Sequence, residues 1–188
     1  AGAYVKVGEV VLRDVALPPE VLACVDAVLA QTGAGALLES ACGSIDVRGG
    51  TAGTHQASPA NVGKALRLIP GGRVHKVVMP TPVAMAVVDR LSGVIGLSIT
   101  GLELGNSEVG LSENCKRDTV KAILEYVGDA GTTYGFGDSE NDLSLFEQVD
   151  VSVAMGNAVP AVKEAATLVT DSVRDDGVAT ALAKLGLI

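Results

Sequence analysis

From residue 111 to the C-terminus, short β-branched runs alternate with helical repeats, and this rhythm constrains the fold more than any other feature. Val120, Ile123, Leu124 and Val127 recur at helical spacing before Gly128, which predicts a helix over 119–127. Residues 132–136 then read as a strand, 143–148 as a helix and 151–155 as a strand. A helix over 160–166 capped by Asn157, a strand over 168–170 and a helix over 177–185 complete the series. Strands alternating with helices imply a parallel sheet, because a parallel crossover needs a returning element that covers a face.

The first half carries a different pattern within the same α/β class. Residues 3–7 and 10–13 flank Gly8-Glu9 as a hairpin. Val21, Leu22, Val25, Val28 and Leu29 predict a helix over 19–31, stopped at Gly33 by a left-handed cap. Strands follow over 36–39 and 75–79, a helix over 81–91 with Thr81 as cap and Pro82 in its first turn, and short strands over 94–100 and 102–104. Residues 40–70 are rich in Gly, Ser and Thr and give the weakest signal, with one helix expected over 59–68.

Composition bounds the partners. A 188-residue chain that is 48% hydrophobic can fill a core, and its formal charge of −8 repels nucleic acid and anionic lipid. With 3% aromatics there is little to stack on single-stranded bases. Cys24, Cys42 and Cys115 are odd in number and far apart, which argues against a disulfide framework or structural zinc and fits a reducing cytoplasm. The most apolar stretch, 77–88, is interrupted by Pro80 and Pro82 and too short to span a bilayer. Small substrates handled through a cation are the expected partners.

The strand over 132–136 runs into Gly137-Asp138-Ser139-Glu140-Asn141-Asp142. Ligands of open parallel sheets bind beyond the carboxyl ends of the strands, where this loop lies. Asp138 and Asp142, four apart, can face one side and offer the hard oxygens that Mg²⁺ accepts, while Asn141 adds a neutral donor for a phosphate oxygen. A dinucleotide loop is excluded by Glu140 at the third glycine position, and a calcium loop by Leu143 and Val149 at its sixth and twelfth. Lys116 lies near a helix N-terminus, where a cation opposes the dipole, so a phosphate or carboxylate is expected beside it. His55 and His75 fit no ligand pattern, and Arg13, Arg48, Arg73 and Lys76 show no spacing that marks a substrate site.

Lys116, the segment Gly137 to Asp142, Val153-Ala154-Met155-Gly156-Asn157-Ala158, Val162-Lys163, Ala165-Ala166 and Asp176-Gly177-Val178-Ala179 resemble, in order and spacing, the C-terminal half of the haloacid dehalogenase superfamily. The Cof-type sugar phosphatases are the nearest pattern. The resemblance implies a Mg²⁺-dependent phosphatase with a partial Rossmann-like parallel-sheet core and an inserted α/β cap domain. It implies a hairpin and core entry over 1–16, a cap over 17–110 and the C-terminal half of the core over 111–188. Asp138 would bind Mg²⁺, with Asp142 assisting directly or through water. Lys116 would neutralise the nucleophile and the transferring phosphoryl group, and Asn141 would hold the phosphate.

That family opens with a strand ending in Asp-x-Asp-Gly-Thr, whose first Asp is the nucleophile, and no such pattern occurs in the 188 residues. The nearest substitute, Ile45-Asp46-Val47-Arg48-Gly49-Gly50-Thr51, has Arg48 at the second Asp position and no buried β-run before it. Asp175-Asp176-Gly177 belongs to the C-terminal match. The expectation is a phosphatase whose nucleophile segment lies outside this chain, with a second chain or an oligomer completing the core. A non-catalytic phosphate- or metal-binding module and a truncated fragment are the alternatives.

Overall fold

Two sheets of opposite character organise the chain. The computed structural model describes residues 2–49 and 58–188, so Gly50, Thr51 and His55 lie outside the described residues. The chain divides into one unit of Ala1–Arg13 with Cys115–Ile188 and a second of Asp14–Asn114.

In the second unit, α1 (Pro19–Thr32) begins with proline in its first turn and ends at Gly33, whose φ of 71° forms the expected left-handed cap. Its buried positions are the five apolar residues that set the helical repeat, Val21, Leu22, Val25, Val28 and Leu29. Strands β3 (Ala36–Ser40), β4 (Gly43–Val47), β5 (Lys76–Pro80), β6 (Leu97–Gly101) and β7 (Asn106–Leu111) form an antiparallel sheet in the order β4-β3-β5-β7-β6. Registers Leu38↔Val77 and Val77↔Val109 place three fully buried side chains in one row of a core that α1 and α3 (Thr81–Leu91) share. Burying each contributes roughly 1.5–3 kcal/mol.

The fold departs from the sequence expectations at four places. β4 is a strand, so Ile45 to Val47 do lie on a β-run, with Val47 wholly buried. β7 supplies the strand between β5 and β6, whereas residues 103–105 form a 3₁₀ turn with Leu104 at φ 59°. The helix expected over 59–68 contracts to α2 (Val62–Leu66), capped by the Asn61 side chain. Thr81 is the first helical residue and caps nothing, because its hydroxyl meets Gly105 O and Ser107 Oγ at 3.0 and 2.9 Å.

The first unit holds the hairpin of β1 (Tyr4–Val7) and β2 (Val10–Asp14), apart from the last residue of β2, and a three-stranded parallel sheet in the order β10-β9-β8. Its strands are β8 (Tyr134–Gly137), β9 (Val151–Ala154) and β10 (Leu168–Val169), paired in register Phe136↔Val153↔Leu168. Helices α4 (Lys116–Val127), α5 (Leu143–Phe146), α6 (Pro160–Ala165) and α7 (Gly177–Lys184) alternate with them, as the rhythm required. Helix α4 begins at Lys116, three residues earlier than the spacing suggested. Gly2 closes on its first turn: at φ 97°, an added Cβ would lie 2.5 Å from Cys115 O. No described residue pairs with the outer edge of β8, and α4 has no buried residue, with Val127 53% exposed.

Candidate active site

The loop leaving β8 is built around Asp142. Residues 140–142 form a 3₁₀ turn in which Ser139 and Asp142 make a reciprocal capping box. Asp142 Oδ2 accepts the backbone N–H groups of Asp138 and Ser139 at 2.9 and 3.1 Å and the Ser139 hydroxyl at 3.2 Å. Asp142 Oδ1 accepts from Lys116 Nζ. Gly137 makes this possible, since a Cβ there would fall 2.4 Å from Asp142 Cβ.

Burial pushes the Asp142 carboxyl up, but the Lys116 ammonium and the two backbone amides outweigh it and hold the group below the usual carboxylate range. Asp142 is therefore a buried anion, its side chain 5% exposed, with both oxygens committed. Lys116, at 33%, spends one of three N–H bonds on it and has two left.

Asp138 is exposed and differently held. Its Oδ2 accepts from Asn157 Nδ2 at 3.1 Å, and its Oδ1 has no partner among the described residues. Asn141, also exposed, shares that same Ser139 hydroxyl proton through its Oδ1 at 2.8 Å. Lys116 and Asp142 thus meet directly, while Asp138 and Asn141 belong to the same loop and turn. Asn157 is the residue the sequence reading misplaced: α6 is capped at Val159 without a side-chain bond, and the Asn157 amide bridges Asp138 and the Val173 N–H, 2.9 Å away. Its place in the Met-Gly-Asn-Ala motif was the available signal.

No group of three His, Cys, Asp or Glu side chains converges as a metal cage among the described residues. A cage is not what Mg²⁺ requires, because it commonly binds one or two carboxylates, waters and substrate phosphate. The exposed Asp138 carboxylate suits that mode. Asp46 lies elsewhere, mid-strand in β4 opposite Leu37, in the second unit. His75 is a buried partner of Asp14, at 2.7 Å, and Arg73 holds the same carboxylate at 2.8 Å. Lys76 lies between Glu39 and Glu108, at 3.1 and 2.7 Å. No described helix is long and apolar enough to cross a membrane.

Comparisons with known proteins point the same way. A profile of the haloacid dehalogenase-like hydrolases matches residues 86–182, just over half of the chain. YkrA of Bacillus subtilis (strain 168), a proposed phosphatase, is 49% identical over 74 residues, 39% of this chain and 29% of that protein. The 5-amino-6-(5-phospho-D-ribitylamino)uracil phosphatase YcsE of the same organism is 36% identical over 87 residues, 46% of this chain and 35% of that one. The chain thus spans about a third of these curated relatives. Among solved structures, a HAD subclass IIB sugar phosphatase matches with TM-score 0.78 and 22% identity, covering 100% of this chain and 74% of the other. A phosphatase of the superfamily from Bacteroides thetaiotaomicron matches with TM-score 0.76 and 22% identity, covering 100% and 72%. At such identities the likeness is one of fold.

Proposed function

Because the chain belongs to the haloacid dehalogenase-like hydrolases, we propose that it forms part of a Mg²⁺-dependent phosphatase acting on a small phosphate monoester such as a sugar phosphate. The observation that carries this is the pairing of Lys116 with a buried, fully bonded Asp142 that also accepts the backbone N–H of the exposed Asp138. Such an arrangement holds a cation and a metal carboxylate in fixed positions, and preorganised charge is the main device by which phosphoryl transfer is accelerated.

Asp138 would hold Mg²⁺, with Asp142 acting through a water, and the metal would supply charge neutralisation at the phosphoryl oxygens. Lys116 directs its two remaining N–H bonds to the nucleophile and the phosphoryl group. Asn141 offers its side-chain amide to a phosphate oxygen. In the reaction, a carboxylate oxygen of the first Asp of an Asp-x-Asp segment attacks phosphorus, the ester P–O bond breaks as the second Asp gives the leaving oxygen its proton, and water then hydrolyses the aspartyl-phosphate to inorganic phosphate.

No Asp-x-Asp occurs in the 188 residues, so we place the nucleophile on a further strand that pairs with the open edge of β8 and covers the apolar stripe of α4. A second chain or another segment would carry it. The second unit would serve as the cap that selects the leaving group. The three thiols, free among the described residues, agree with a cytoplasmic setting. The exposed Asp138 carboxylate and the two unspent Lys116 N–H bonds also suit a second reading, a module that binds phosphate without turning it over.

The test is Mg²⁺-dependent phosphate release from a panel of phosphate esters by these residues joined to a strand bearing Asp-x-Asp. Activity lost in D138N and K116A supports the phosphatase. Saturable phosphate binding with no release from any ester supports the binding module.

A further inference from the structure

Resting on the phosphatase reading, we propose that Asn157 is a positioning residue that sets the Asp138 carboxylate for its cation. Its side chain is one planar amide used at both ends. Nδ2–H donates to Asp138 Oδ2 at 3.1 Å, and Oδ1 accepts the Val173 N–H at 2.9 Å. Rotating the amide by half a turn would set oxygen against carboxylate oxygen and NH₂ against N–H, so the two bonds fix each other's sense.

The surrounding turn is held as tightly. Val159 N–H donates to Asp138 O at 3.0 Å, and Gly156 N–H to Asp171 O at 2.9 Å. An added Cβ at Gly156 would lie 2.7 Å from Ser172 N, so only glycine lets the turn after β9 approach the segment after β10 this closely. Asn157 thereby ties together the loops at the carboxyl ends of all three parallel strands. With Oδ2 engaged, rotation of the carboxylate is restrained and Oδ1 is left to face a ligand. Removing a partner of this kind commonly costs about 10–100-fold in metal affinity.

The experiment titrates Mn²⁺ as a probe into the 188-residue chain and its D138N and N157A variants, followed by water-proton relaxation, and records side-chain amide resonances without metal. The inference expects N157A to bind Mn²⁺ at least about tenfold more weakly while the metal-free chain remains folded. It expects the Asn157 amide of the unsubstituted chain to be slow to exchange with water and to move in D138N. Equal Mn²⁺ affinity in N157A while D138N loses binding overturns the role of Asn157 and leaves Asp138 standing. An Asn157 amide with solvent-averaged shifts overturns it as well. No Mn²⁺ uptake, or uptake unchanged in D138N, removes the metal role of Asp138 and the inference with it.

Discussion

Lys116, the first residue of α4, and Asp142, the last residue of the turn after β8, form an ion pair across 26 positions of sequence. The lysine sits where the helix dipole disfavours it, and the carboxylate sits where burial disfavours it. Each offsets the other's cost, and the loop between β8 and α5 takes its shape from the result.

The first prediction concerns pH. The Asp142 pKa is depressed in the folded chain, so its contribution is present above the ordinary carboxylate pKa of about 4 and is lost as pH falls through the lower folded-state value. D142N should lower stability at pH 7 by roughly 2 kcal/mol. The gap from the unsubstituted chain should close toward pH 3. Urea unfolding of both proteins between pH 7 and 3 measures this, and the comparison cancels the similarly depressed Asp14 and Asp150.

A second prediction follows from Gly137. G137A places a methyl group 2.4 Å from Asp142 Cβ, in contact with a buried, fully bonded side chain. The expected loss is about 1–3 kcal/mol of stability. The Asp138 and Ser139 amides, which donate to Asp142, should also exchange faster with water, as hydrogen-exchange spectra can show.

The third concerns the start of the second unit. Burial raises the Asp14 pKa, and its bonds to His75 and Arg73 more than reverse that. D14A should remove the carboxylate bonds to His75 and Arg73 and loosen the neighbouring Leu17 N–H, which donates to Val74 O at 2.7 Å. Exchange at Leu17 should quicken by about tenfold. An unchanged rate would mean the pair does not hold this crossing.

A fourth separates the units by their cores. The second unit has a large continuous cluster of buried apolar side chains, whereas the first has one of Phe146, Ala154, Ala158 and Val162. Thermal unfolding should therefore show two transitions, the second unit melting later. L38A should destabilise the later transition by about 2–5 kcal/mol and leave the earlier one in place.

The parts of the fold legible in sequence are those whose period survives in apolar residues. α1 carries its period in Val and Leu, β9 and β10 are built mainly from Val, Ala and Leu, and β8 alternates Tyr134 and Phe136 with glycine. β7 reads Asn-Ser-Glu-Val-Gly-Leu, with Ser107 at a buried position and Gly110 on the other face, so its alternation is hidden from hydropathy. β4 is masked by Gly43 and Ser44 in the same way. At the site, Asp138, Asn141, Asp142 and Lys116 stood out by local density or an unfavourable position. Asn157 did not, because its partners lie in two other loops and only the folded chain brings them within reach.

The central claim is that these residues complete a phosphoryl-transfer site once a nucleophilic carboxylate is supplied. The most direct measurement compares Mg²⁺-dependent phosphate release by the 188-residue chain with that of the same residues joined to a strand ending in Asp-x-Asp. The account predicts turnover only in the joined protein, abolished by D138N and by K116A. Turnover by the chain alone at the same rate, or turnover that survives both substitutions, would contradict it.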